Sequence, residues 1–320
     1  MPTITSLATT YTLPQYAGNV LMGSSTDTPF LDAIGGLAVD DPDLLTNSVL
    51  FQWGVELLPD GAQPAIPEGA DASFSEVSGT GPFNVVQIFQ EAVNVSYSRQ
   101  GATGSLVPAS STLTSAEQSA IRDILAHQVS LKLPKIRRDV NYSFVAGSYA
   151  LPANNLTGRK TRGLIEATTT NVTDAGGVAM TEAMVLDMIQ AVFTARGVVQ
   201  GWEPTLMVAA NQKRKLTDIF VRNAQFQQTS RRVGGANVQA LETDFGVVNV
   251  MLERVVPTTV VQFAHLRLCR PRFMAVPGKG VFFGEPLAKT GASDKYQIYG
   301  EAGLEYGDEG YHGKLINLHV

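Results

Sequence analysis

The 320-residue chain is 44% apolar but only 17% charged, enough to build a sizeable core while leaving few surface charges, so much of its surface is expected to meet other protein. Its single cysteine, Cys269, excludes a disulfide framework or a cysteine-rich metal site and reads as a small buried hydrophobe; no run of about 18 apolar residues and no basic-then-apolar leader is present, which argues against a membrane span or secretion and for a cytoplasmic protein. The net charge of −5 hides a segregation: residues 1–98 hold eleven acids and no lysine or arginine, whereas the remainder holds all 24 bases and 18 acids. Either the acidic third lies on the basic surface of a second subunit, or the charges pair within one chain or stay solvated.

Residues 1–48 read as an extended arm with short apolar clusters, of which TPFLDAIGGL is the clearest, and Thr28 with Pro29 marks the start of a short helix. Such a segment cannot build its own core and needs something to lie against. Phe51, Trp53, Val55 and Leu57 alternate with Gln52, Gly54 and Glu56, the pattern of a strand with one buried face. A matching strand spans Val85–Ser98, where Val93, Val95 and Tyr97 alternate with polar residues. Between them lies a stretch rich in glycine, proline and acids, and together they predict a very long hairpin that needs support from another chain.

Thr114 and Glu117 form a capping box, and Ile121, Leu125, Val129, Leu133, Ile136, Val140 and Phe144 recur at helical spacing, predicting one long spine helix over Thr114–Gly147. Pro134 predicts a bend near Ser130–Pro134, or two helices end to end. The polar side of the spine carries Lys132, Lys135, Arg137 and Arg138, a cluster suited to nucleic acid, to an acidic neighbour, or to plain solvation. Leu164–Ala167 reads as a short strand. Thr181–Arg196 is an amphipathic helix with Met184, Met188, Val192 and Ala195 on one face and Gly197 as its stop. Thr205–Ala209 is a buried strand, Asn211–Phe220 a helix, and the polar, basic Arg222–Asn237 a loop. Strands follow at Val238–Asp244, Val247–Glu253, Val260–Leu268, Arg272–Val276, Tyr296–Tyr306 and Lys314–Leu318.

No catalytic constellation is visible. His127, His265, His312 and His319 have no metal-ligand spacing, His127 and His265 read as ordinary structural residues, the VPGKGVFFG glycines satisfy no phosphate-loop pattern, and Glu301/Glu305 and Asp308/Glu309 read as strand-end surface acids. The sequons at Asn94, Asn141, Asn155 and Asn171 read as chance. No enzyme activity and no cofactor are expected.

The order of parts, with TPFLDAIGG in the arm, FQWGVELL and NVVQIFQEAVNVS across the hairpin and EPLAKTGASDKYQIYGEAGLEYGDEGYHGKL near the end, resembles the major capsid protein of tailed bacteriophages. The resemblance implies an α+β Hong Kong-type phage capsid fold with an N-arm (1–50), a long β-hairpin E-loop (51–98), a peripheral domain with the long spine helix (99–169, returning at 259–311) and an axial domain (170–258, with the C-terminal strand 312–320). It implies self-assembly into hexamers and pentamers of an icosahedral virion shell around double-stranded DNA, put together in the host cytoplasm. A separate scaffolding protein, a portal and decoration proteins become expected partners, DNA contact is expected to be weak and non-specific, and no membrane is involved. Candidate intersubunit contacts are Phe51, Trp53, Glu56, Glu68, Asp71, Val93, Tyr97, Arg231 and Arg232, and the spine cluster Lys132, Lys135, Arg137 and Arg138 would face DNA or a neighbour. An encapsulin-like compartment, or a soluble enzyme with an acidic lid, are the alternatives.

Overall fold

The computed structural model describes residues 25–39, 41–59, 61–63, 65–71, 76–77, 79–98, 124–154, 156–222, 228–233 and 236–320. In chain order, a short helix α1 (Pro29–Ala33) precedes strands β1 (Leu45–Thr46), β2 (Leu50–Gln52), β3 (Val55–Glu56), β4 (Gly79–Thr80), β5 (Phe83–Val85) and β6 (Gln87–Ser96). The spine helix α2 (Ile124–Ala146) leads to the one-turn helix α3 (Leu164–Ala167), β7 (Val172–Asp174), α4 (Glu182–Ala195), β8 (Pro204–Val208) and α5 (Ala210–Arg222). The last half is strand-rich: β9 (Gln228–Val233), β10 (Ala236–Thr243), β11 (Gly246–Leu252), β12 (Val261–His265), β13 (Arg270–Met274), β14 (Phe282–Pro286), β15 (Ser293–Glu305) and β16 (Gly313–Ile316).

Two sheets organise these elements. The first is built on β15, whose one side carries the ten-residue antiparallel ladder to β6, from Ser293↔Ser96 to Ala302↔Gln87. Its other side is shared in tandem by β14 and β13, and β1 from the arm adds parallel to β13. The second sheet runs β7-β16-β12-β8-β11-β10-β9. Strand β8 is mostly apolar and buried throughout because both of its faces are covered: Leu206 and Val208 join the core under α4 and α5, while Met207 faces the core under the spine. The second core takes Val185, Met188, Ile189 and Val192 from α4, so the buried face is rotated from the predicted one, and Thr181 caps the helix by accepting the N–H of Met184.

Several expectations change. The spine runs unbroken through Pro134, which removes the two-helix alternative, and its buried face is set by Ile136, Val140, Phe144 and Val145. Leu133 lies on the predicted stripe yet is 52% exposed. The capping box at Thr114 and Glu117 lies outside the described residues. Leu164–Ala167 is a helical turn rather than a strand, because Leu164 and Ala167 are both buried three residues apart and Ala167 and Thr168 donate back to Gly163 and Leu164. Within the expected loop 222–237, Gln228–Val233 is a strand hydrogen-bonded to Ala236–Leu241. Strands β1, β7 and β14 carry too few apolar residues to stand out in the sequence. The glycines of VPGKGVFFG make a tight turn closed by Val276 and Gly280, with Gly278 and Gly280 at positive φ, which carries the chain into β14.

The predicted hairpin is broken into two short antiparallel pairs, β2 with β5 and β3 with β4, separated at Trp53–Gly54. Its return strand does not continue along the outgoing one. After Val86 it becomes β6 and joins β15, more than 190 residues later in the chain.

Candidate assembly interface

The root of the hairpin is fixed by buried polar contacts. Asn84 is fully buried and uses its whole amide: Nδ2 donates to the carbonyls of Arg162 and Leu304, and Oδ1 accepts the N–H groups of Val85 and Arg162. No buried hydrogen-bonding group of that side chain is left over, which is the condition for a polar residue to stabilise a core. Trp53 donates its indole N–H to the Gly307 carbonyl at 2.8 Å and stands edge-on to Tyr306. The Arg162 guanidinium lies over the rings of Tyr149 and Phe83, 4.6 and 5.6 Å from their centroids. Gly303 makes the close approach possible, since a Cβ there would sit 2.6 Å from the Phe51 ring and 2.8 Å from the Val85 carbonyl.

Beyond this root the hairpin changes character. Every described residue from Leu57 to Gly81 is exposed, including Leu58 at 80% and Ile66 at 67%, and this stretch contains acids but no lysine or arginine. Apolar side chains on an acidic lobe with no covering layer of their own chain form a surface suited to another protein.

The candidate contact residues divide accordingly. Phe51 and Val93 are buried inside their own subunit, and Trp53 is half-buried against Tyr306, so these three contribute to the fold of one chain. Glu56, Glu68, Asp71 and Tyr97 are exposed, with the Tyr97 hydroxyl accepting from Lys289 at 3.2 Å. Arg231 and Arg232 lie on β9, the edge strand of the second sheet, opposite Val238 and Asn237.

The spine cluster is largely engaged by its own chain. Lys132 donates to Glu91 at 2.7 Å and Lys135 lies 3.6 Å from the same carboxylate, while Arg137 pairs with Asp32. The hydrogen bond from Lys132 holds the Glu91 carboxyl below its ordinary range. Among the described residues, two acids of the first 98, Glu91 and Asp32, therefore meet the basic spine within one subunit. Arg138 is exposed, with no ion-pair partner among the described residues.

The arm is held by a lock that the sequence reading missed. Phe30 and Leu31 are fully buried in the core under the spine. Their N–H groups belong to the first turn of α1 and have no partner inside the helix. Thr28, the expected cap, directs its hydroxyl to Asp32 instead. The two donors are satisfied from other elements: Phe30 N–H donates to Glu253 Oε2 at 3.1 Å and Leu31 N–H to Asn141 Oδ1 at 3.0 Å, while Asn141 Nδ2 donates to Glu253 Oε1 at 3.1 Å. Burial raises the Glu253 carboxyl above its ordinary value against these hydrogen bonds. Asn141, Glu253 and Asn84 each interrupt an otherwise apolar buried face, and that interruption was the available signal.

The acids of the last strands are engaged within the chain. Glu301 is buried and paired with Arg159, Glu305 pairs with Arg272 and Asp308 with Arg196, while Glu309 accepts the N–H groups of Thr169 and Thr170. Glu301 is thus an interior ion pair rather than the surface acid expected. Cys269 is buried, its thiol pushed up by desolvation. Among the described residues no helix is long and apolar enough to cross a membrane.

The sequence model of the SU10 major capsid protein family matches residues 3–319. Among solved structures, the cyanophage A-1(L) capsid asymmetric unit superposes with a TM-score of 0.66 at 14% identity, covering 98% of this chain and 99% of that one. The capsid of a native GTA particle gives 0.59 at 10% identity, with 99% of each chain covered. The SrpI encapsulin of Synechococcus elongatus PCC 7942 gives 0.56 at 11% identity over 86% of this chain and 85% of that one. No curated protein sequence matches the chain. At these identities the superpositions establish a shared fold.

Proposed function

Since the chain belongs to the SU10 major capsid protein family, we propose that it builds an icosahedral shell of hexamers and pentamers around double-stranded DNA, with the hairpin lobe reaching onto a neighbouring subunit. As a major capsid protein it is a structural component of a virion and assembles with copies of itself. The observation that carries the lobe's role is the contrast between its two ends: a root fixed by Asn84, Trp53 and Arg162, and an exposed acidic tip bearing Leu58 and Ile66. A rigid root lowers the entropy lost on docking, and apolar area covered by a neighbour contributes roughly 25 cal/mol per Å². The lobe's acids would set register and salt sensitivity more than affinity, because exposed ion pairs are each worth about 0–1 kcal/mol.

In this reading residues 1–50 are the N-arm, 51–98 the E-loop, 99–169 with 259–311 the peripheral domain, and 170–258 with 312–320 the axial domain. Glu56, Glu68, Asp71 and Tyr97 are the intersubunit contacts, with Arg231 and Arg232 presented at the edge of the second sheet. Arg138 is the member of the spine cluster assigned to DNA or to a neighbour, since Lys132, Lys135 and Arg137 are supported as intrachain partners by their ion pairs. DNA contact is weak and sequence-independent, in keeping with a pI near 5.4. A scaffolding protein, a portal and decoration proteins complete the partners, and assembly takes place in the host cytoplasm.

Electron cryo-microscopy of particles formed by the chain tests this reading. Shells whose hairpin lobes cross subunit boundaries support it. The fold is shared with an encapsulin, so contents decide between the two: particles that package protein cargo and exclude nucleic acid would overturn the capsid assignment.

A further inference from the structure

His265, the last residue of β12, and His312, immediately before β16, are both fully buried and bonded to each other and to three other backbone segments. Nε2 of His265 accepts the Val199 N–H at 3.1 Å, and its Nδ1 lies 2.7 Å from the Tyr311 carbonyl. Nδ1 of His312 accepts the N–H of His265 at 3.4 Å, and its Nε2 lies 2.7 Å from the Tyr306 carbonyl. A backbone N–H only donates and a carbonyl only accepts. The four contacts therefore assign one hydrogen to each ring, on Nδ1 of His265 and Nε2 of His312, and make both imidazoles neutral.

The pair occupies the joint between the sheets. Tyr306 follows β15 of the first sheet, His265 ends β12 of the second, Tyr311 lies in the turn that links them, and Val199 follows α4. Trp202, Phe263 and Tyr311 stand edge-on around His265 with centroids 6.2, 5.3 and 5.7 Å away, and the Cys269 thiol points at the His265 carbonyl. The nearby charges are already committed: Asp308 pairs with Arg196, Glu309 accepts from Thr169 and Thr170, and Glu203 pairs with Arg267. A protonated ring would find no uncommitted carboxylate among them.

We propose that the His265–His312 pair is a proton-operated joint, in which protonation of either ring breaks its bond to the backbone N–H it accepts and frees residues 306–312 to change the angle between the two sheets. The added proton converts an acceptor nitrogen into a donor aimed at another donor, and places a cation inside a shell of aromatic rings. Burial holds both imidazoles below the ordinary histidine range, His312 at about 4. The joint is therefore closed at neutral pH, weakens as the pH falls below about 6.5, and opens as it approaches 4. Its use in altering the shape of a shell subunit rests on the capsid reading; the proton switch itself does not.

Hydrogen–deuterium exchange of the full-length chain between pH 8 and pH 4, corrected for intrinsic rates, tests the joint. Protection over 196–203, 262–268 and 304–313 is expected to fall as the pH drops below about 6, while the β6–β15 ladder stays protected. The double variant His265→Asn, His312→Gln is expected to shift that midpoint by more than one pH unit or abolish it. A midpoint unchanged in the double variant, protection constant throughout, or loss only together with the whole fold would overturn the proposal. Should the variant not fold, exchange of the histidine C2 hydrogens in the unaltered chain decides: midpoints for both rings near the ordinary value of about 6.5 refute the joint, and depressed midpoints support it. None of these outcomes alters the family assignment.

Discussion

Replacing Glu253 by alanine should release the arm while leaving the rest of the fold in place. The carboxylate accepts from Phe30 N–H, Asn141 Nδ2 and Val255 N–H. Phe30 N–H and Asn141 Nδ2 are buried, so removing it strands two donors at about 1–3 kcal/mol each. Part of that loss is offset, because burial raises the Glu253 carboxyl and its ionised form costs stability once the pH passes its ordinary value of 4.5. A net loss of about 2–4 kcal/mol corresponds to roughly 30- to 1000-fold faster exchange of the α1 amides. Native-state hydrogen exchange resolved over residues 28–36 reads this directly, with the β6–β15 ladder as internal reference. The alternative is that Phe30 and Leu31, whose burial is worth about 1.5–3 kcal/mol each, hold the arm without help. Exchange at Phe30 and Leu31 within twofold of the unaltered chain would refute the lock.

Other expectations follow from the same geometry. Asn84→Ala strands the N–H groups of Val85 and Arg162 and the carbonyl of Leu304, and should cost about 2–4 kcal/mol, visible as a fall in thermal midpoint of several degrees. Gly303→Ala drives a Cβ into the Phe51 ring and should loosen the hairpin root, seen as new exchange at Phe51–Trp53. Deleting Pro59–Gly81 removes a stretch whose described residues are all exposed, and is expected to give a soluble, folded subunit that forms no shells; normal particles by electron microscopy would count against the lobe's role. Depression of His312 to about 4 from an ordinary 6.5 means its stabilising share is whole above pH 6.5 and is lost as the pH falls toward 4, an amount of about 3 kcal/mol checked by urea midpoints across that window.

Much of the fold was legible where the signal is local. Thr181 with its following turn and the C-terminal half of the spine declare themselves through capping and periodicity, and Pro204–Val208 through a short, mostly apolar run. Pairing was not legible, because alternation shows that a strand has a buried face and not what lies beside it. Val93 was therefore assigned to a neighbour when its partner strand is β15 of the same chain. Short elements failed for a related reason: four residues at Leu164–Ala167 are too few for either period to show. Strand β9 sits at an edge of its sheet and reads as a polar loop. In the candidate interface the acidic lobe was visible as composition, whereas the contacts that fix its root depend on Asn84, Arg162 and Leu304, which lie about 80 to 220 residues apart and meet only in three dimensions.

The ladder between β6 and β15 also sets a timetable. Ser293 pairs with Ser96, so when the ribosome has finished the first edge of that sheet it still has about 200 residues to make, a delay of roughly 10–40 s at ordinary synthesis rates. Glu253, which locks the arm, is likewise translated long after Phe30. The arm and the hairpin root thus reach their seats only when the chain is nearly complete. A nascent subunit still on the ribosome therefore lacks the contacts that fix the hairpin root, and these close only near the end of synthesis.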